Sequence, residues 1–216
     1  MQPENKSNNQ DTHENYSFIK QARRTQIVAA TIEVLAELGY SNTSFAHIAK
    51  KSGISRGLIS YHFKNKDDLM LQVVIDVYTA NMLYVNEHLA VETSARGQLR
   101  AYIEANLAHM GKHPKHFAAM IEVVMNARGS DGQPIYKAIR KADDDELGIV
   151  QLEEIFRAGQ GNGEFRLFEP RLMAIALRGV IDKVLGQLTA HPVLDFERYT
   201  QQLVELFDRA TKQDRL

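Results

Sequence analysis

The stretch SGISRGLISYHFKNKDDL, Ser52 to Leu69, sets Arg, Ser, Tyr, His and Lys side chains on a helical apolar rhythm. Advancing ~100° per residue from Ile59 puts Phe63 at about 40°, so these two share one apolar edge. Gly57, Ser60, Tyr61 and Lys64 fall between about 100° and 200°, on the opposite side. That outer face has the chemistry a nucleic-acid groove requires. Gly57 removes side-chain bulk, Ser60 and Tyr61 offer hydroxyls to phosphates, and Arg56 can take guanine O6 and N7 bidentately. Ser44 and Lys66 are placed at helix N-termini, where backbone N–H groups favour a phosphate oxygen. The plainer alternative is a solvated helix end with incidental charge.

Three further clusters invite a chemical reading. His109, His113 and His116 raise a metal question, and an all-α metal- or ligand-binding enzyme built on them is the competing hypothesis. Pro114 breaks the spacing between them and no nearby acid or Cys completes a set, so no metal is expected. The run DDDE (143–146) reads as a solvated helix face. GQGNG (159–163) lacks the preceding strand and the Lys of a phosphate loop, and reads as a helix end and turn. No Ser/His/Asp arrangement stands out. The expectation is therefore no catalytic residues, no cofactor and no enzyme.

The elements that must hold these residues are helical. Residues 1–16 are polar and almost without aliphatics, which predicts a disordered tail. Val28, Ile32, Leu35 and Leu38 then recur at helical spacing up to Gly39. Ser44 caps a second, short helix ending at Gly53, and Ser55 caps a third reaching about Phe63. Asn65 opens a fourth with Asp67 and Asp68 in its first turn, running unbroken to about Val91. A fifth spans Ala95 to Met110, with Leu99, Tyr102, Ile103, Leu107 and Met110 inward. A sixth follows Pro114, and the loop at 127–134 leads into a seventh ending at the Gly-rich turn. Pro170 starts an eighth that stops before His191, and Asp195 caps a ninth. The chain is predicted to be all-α, with about nine helices: three short ones at 17–66, the helix-turn-helix within them at 44–63, and a larger helical part at 67–216.

Composition agrees with a soluble globular protein: 44% apolar, 25% charged, no Cys, and no apolar run long enough to span a bilayer. A cytoplasmic location is expected. The net charge of -1 conceals an asymmetry. Ser17 to Lys66 carries eight basic residues against two acids, whereas from Asp67 onward there are 17 basic and 22 acidic. A basic head on an acidic body suggests that one end meets a polyanion.

Two short helices joined by a tight turn containing Gly are the helix-turn-helix signature. Beyond it, the segment from Arg24 to Tyr78 resembles the DNA-binding domain of the tetracycline-repressor (TetR/AcrR) family of bacterial transcription regulators. The residues that carry the resemblance are Ile27 to Leu38, GYSNTS (39–44), IAKKSGIS (48–55) and above all LISYHFKNKDDL (58–69). It covers about a quarter of the chain strongly; the remaining helices match in number and length only. It implies a homodimer, one helix-turn-helix per subunit, and a helical effector-binding domain behind it. It also implies that Ser44, Arg56, Gly57, Ser60, Tyr61, His62 and Lys66 contact operator DNA, with Ser55 grouped beside them. Ala46 stands where many relatives carry Arg, and Lys20, Arg23 and Arg24 are candidate phosphate contacts in compensation.

The resemblance places dimerisation on helices at about 171–190 and 195–211. The stripes there are Ala174, Leu177, Ile181, Val184, Leu185 and Leu188, then Phe196, Tyr199, Leu203, Leu206 and Phe207; packing within the subunit is the alternative. Asn81, Tyr84, Asn106, His109, Met110, His116, Phe117 and Met120 mix polar and large apolar groups at helical spacing. They are the candidate lining of an effector pocket, although each taken singly reads as core filler or surface. The resulting expectation is a small-molecule-responsive repressor of a palindromic operator, with no membrane association.

Overall fold

The computed structural model describes residues 8–129, 131–138, 147–190 and 195–213, with side chains from Phe18 onward at most of them. The architecture is all-α. Helix α1 is Asn8–Asn42, α2 Phe45–Ser52, α3 Arg56–His62, α4 Lys66–Leu89, α5 Ala95–Lys112 and α6 Pro114–Asn126. A 3-10 turn at Ile135–Ala138 precedes α7 (Leu147–Gly161), α8 (Pro170–Ala190) and α9 (Phe196–Thr211). The DDDE run at 143–146 lies outside the described residues.

The helix ends follow from local chemistry. Ser44 Oγ accepts from the His47 N–H at 3.3 Å, and Gly53, at φ 69, closes α2 in the left-handed region. Ser55 Oγ accepts from the Leu58 N–H at 3.2 Å to start α3. At α4 the caps are reciprocal: Asn65 Oδ1 accepts from the Asp68 N–H at 2.8 Å while Asp68 Oδ2 accepts from the Lys64 N–H at 2.9 Å. Asp195 caps α9 through the Arg198 N–H at 3.0 Å.

Three expectations are corrected. Helix α1 begins at Asn8, inside the segment expected to be disordered. Low apolar content forbids a packed core there, but it does not stop an already nucleated helix from extending N-terminally. Leu38, expected on the inward stripe, is 42% exposed, because ten residues at ~100° each carry it about 80° away from Val28, to the edge of that stripe; the regular helix breaks directly after it at Gly39 (φ 72, ψ 172). On α8 the residues named for a dimer seam, Ala174, Leu177, Ile181 and Val184, are buried within the subunit. The stripe left outside is instead Leu172, Ile175, Ala176 and Gly179. The side chains of Leu185 and Leu188 lie outside the described residues.

Helix α5 runs through the middle of the body, with Leu99, Tyr102, Ile103, Leu107 and Met110 buried as expected. It passes Gly111 without breaking and ends at Lys112. Buried apolar side chains from Ile27 to Phe207 form one connected cluster, so α1 and α4 tie head to body rather than separating them. At the end of α7, a Cβ on Gly159 would meet the Phe165 ring at 2.1 Å, so this glycine admits a ring that Ala would displace.

Candidate nucleic-acid interface

Helix α2 packs on α1 and α3 packs on α2, with Ile48, Ile54, Ile59 and Phe63 all buried in the shared apolar cluster. Burying such side chains stabilises by about 1.5–3 kcal/mol each, enough to hold a seven-residue helix that would be unstable alone. With Ile59 and Phe63 pinned inward, the opposite face of α3 is fixed outward. Arg56, Gly57, Ser60 and Tyr61 are exposed there, Tyr61 to 62%, and Lys64, just past the end of the helix, is exposed too.

Gly57 is informative because the fold does not need it. A Cβ there would find only Ser55 Oγ, at 4.0 Å, and its φ is not positive. Glycine inside a helix costs about 1 kcal/mol relative to alanine. A residue that lowers helix stability without relieving a clash fits a surface that another body approaches closely. Ser44 and Ser55 each use an oxygen lone pair as a cap, and each retains a hydroxyl proton for a phosphate oxygen.

Two residues of the expected set are turned inward. His62 is buried, its Nδ1 is without a partner, and burial first, then Arg24, Lys20 and Arg23, push its imidazole below the ordinary range. Lys66 Nζ donates to the Tyr40 carbonyl at 2.7 Å and lies 4.0 Å from the centre of the Tyr40 ring. Loss of hydration there lowers its pKa. Resemblance of sequence does not report which face of a side chain the fold has already occupied.

Arg24 is corrected as well. Rather than extending as an arm, it donates from Nη1 to the His62 carbonyl at 2.7 Å and from Nη2 to Gln72 Oε1 at 2.8 Å, with its guanidinium carbon 4.3 Å from the Phe63 ring centre. It clamps the C-terminus of α3 to α1 and α4. Lys20 and Arg23 stay exposed and remain available to a polyanion.

One link escaped sequence reasoning because its members are remote in the chain. Glu122 Oε2 on α6 accepts from the Tyr40 N–H at 2.9 Å, on the far side of the residue whose carbonyl holds Lys66. The backbone of Tyr40, just past the Gly39 kink, is thus held from both the body and the start of α4.

The candidate effector residues do converge, but largely to satisfy one another. Asn106 Nδ2 donates to the Tyr102 carbonyl at 2.8 Å, Asn81 Nδ2 donates to Asn106 Oδ1 at 3.0 Å, and His109 Nδ1 lies 3.2 Å from Asn81 Oδ1. Tyr84 stacks on His109 and Phe117 meets it edge-on, while Met110 is core and Met120 half-buried. Of the set, His109 and His116 line an open groove. His109, His113 and His116 pack ring against ring at 4.7 and 5.3 Å between centroids. Among the described residues, no group of three or more His, Asp or Glu side chains is arranged to hold a metal ion.

Helices α8 and α9 expose Ile175, Tyr199 and Leu206 around a trough of about 620 Å³, and Leu172 is exposed on α8 as well. No described helix is long and apolar enough to cross a membrane.

Residues 27–73 match the family model for bacterial regulatory proteins of the tetR family. The HTH-type transcriptional regulator BetI of Ectopseudomonas mendocina is 35% identical over 86 residues, which are 39% of this chain and 44% of that protein. The chain thus matches less than half the length of this relative. Among solved structures, the fatty acid degradation regulator FadR of Bacillus halodurans superposes with a TM-score of 0.74 at 19% identity, covering 86% of this chain and 94% of that one. NalD of Pseudomonas aeruginosa, the secondary repressor of the MexAB-OprM multidrug efflux pump, gives 0.68 at 21% identity, covering 90% and 98%. At such identities these two show a shared fold.

Proposed function

We propose, from the premise that residues 27–73 belong to the tetR family of bacterial regulatory proteins, that this chain is a dimeric repressor released from a palindromic operator by a small molecule. The observation that carries the reading is the outer face of α3. Arg56, Gly57, Ser60 and Tyr61 stand exposed on a helix whose other face is locked by Ile59 and Phe63. Arg56 reads a guanine edge, while Ser60, Tyr61 and Lys64 anchor to phosphates. The protein acts in the bacterial cytoplasm, where its operator is.

A palindrome requires two heads about 34–36 Å apart, and the exposed apolar face of α8 and α9 supplies the surface for a second copy. Release follows from α4, whose 24 residues run about 36 Å from the recognition helix into the body. An effector that prefers one tilt of α4 moves Lys66 and, through Tyr40, the head. Couplings of about 1–3 kcal/mol change operator affinity some 5–150-fold.

The test is a gel shift with DNA from upstream of the protein's own gene, beside sedimentation of the free protein. Tyr61→Ala should weaken operator binding at least tenfold and leave the dimer intact. A monomer in sedimentation, or wild-type affinity in the variant, refutes the assignment.

A further inference from the structure

Between head and body lies a groove of about 260 Å³. Val28 and Ile32 of α1 and Val77 and Ala80 of α4 give it apolar walls, and His109, His113 and His116 form the remaining side. Its polar chemistry is set by the buried chain behind it. The Tyr102 carbonyl can only accept, so it fixes Asn106 Nδ2 toward itself and leaves Asn106 Oδ1 to accept from Asn81 Nδ2. Asn81 Oδ1 is then the atom facing His109 Nδ1, which must carry the imidazole proton. Nε2, on the other side of the ring, is left with a lone pair.

The surroundings keep it so. Burial first, then the neighbouring His113, His116 and Lys112, hold His109 below the ordinary imidazole range. Desolvation and His113 do the same to His116. Nε2 is thus a neutral acceptor, and the Lys112 ammonium nearby opposes a cation. Nε2 also gives an anion no proton to bind, since charging His109 is what burial resists. Asp76, the carboxylate on the wall, already accepts from Gln72 Nε2 at 2.7 Å. What remains favoured is a neutral donor whose oxygen gains from positive potential: a weakly acidic hydroxyl. The volume is close to the lower end of small-molecule pockets, about 300 Å³, and suits a single ring.

We propose that this groove binds a small phenol, its hydroxyl donating to His109 Nε2 and its ring lying against the apolar walls from α1 and α4. Because those walls belong to head and body respectively, the ligand ties the two together. That consequence rests on the regulator reading; the binding itself does not.

Calorimetry without DNA, using 4-ethylphenol, its O-methyl ether and 4-ethylbenzoate, tests the site. The phenol should bind, the ether should bind at least tenfold more weakly, and the benzoate should not exceed the phenol. Ala80→Leu, with its melting temperature as the check on folding, should abolish phenol binding by filling the groove. Long-range 1H–15N spectra of the wild type should show His109 protonated at Nδ1, with the Nε2 resonance moving on phenol addition. Equal binding of the ether, a tighter benzoate, an Nε2–H tautomer, or unchanged binding in folded Ala80→Leu each overturns the proposal. Operator binding is measured on the same preparation. Phenol failing while operator binding persists sinks the groove alone, and the reverse result sinks the regulator reading alone.

Discussion

The outer face of α3, proposed to read DNA, and the histidine groove, proposed to bind a phenol, represent two ways of building a site. The first is made within a dozen consecutive residues, by one helix whose apolar edge is anchored so that its polar edge has nowhere else to point. The second is assembled from α1, α4 and the α5–α6 junction, and its chemistry depends on three hydrogen bonds buried behind it. A local site tolerates change in its exposed side chains and fails when its anchor fails. An assembled site fails when any remote supporter moves.

The largest test of that contrast is Phe63→Ala. Removing a fully buried ring from beneath α3 should cost about 3–5 kcal/mol in denaturant unfolding and abolish operator binding with it. A variant that loses less than 1 kcal/mol would mean that α3 is held by something other than its inner edge.

Acid provides the second test, since both regions contain imidazoles whose pKa is depressed. His62, His109 and His116 are all lowered from 6.5 in the folded state. The unfolded chain therefore binds protons first as pH falls. The stability from keeping these rings neutral is full above about 6.5 and is lost as pH drops through the folded values. Urea midpoints should be lower at pH 5 than at pH 7.5. Replacing His62 or His109 with Gln should flatten that slope, and a slope unchanged in both variants would place the acid sensitivity elsewhere.

The smallest effect is the most discriminating. Gly57→Ala should raise the stability of the free protein by up to about 1 kcal/mol, because the added methyl meets open space, while operator affinity falls. A gain in stability with no loss of affinity would show that DNA does not come close to α3 at this position.

What the sequence disclosed follows the same division. Ser44, Gly53, Ser55, Asn65 and Asp195 mark helix ends by local chemistry, so α2, α3 and the starts of α4 and α9 were legible almost to the residue, whereas the start of α1, which has no such mark, was not. Helix α8 shows the limit. Its apolar residues cover two faces, and periodicity alone does not say which faces inward and which is left for a partner. His62 and Lys66 show another: resemblance supplied their positions, but Arg24 and Tyr40, which decide how the α3 end and the Lys66 side chain are held, lie 38 and 26 residues away. The groove left half a signal: His109, His113 and His116 stood out as a cluster, but the walls from Val28 and Ala80 share no period with them.

The grip on the Tyr40 backbone sets a limit on modularity. A helix-turn-helix head grafted from this chain onto another body would arrive without the α6 carboxylate that holds its N–H, and a foreign head placed here would need a backbone donor at the same point. Residues 39 and 40 and Glu122 would have to be transplanted together, so the practical seam for exchanging specificities runs through α6 rather than between α3 and α4.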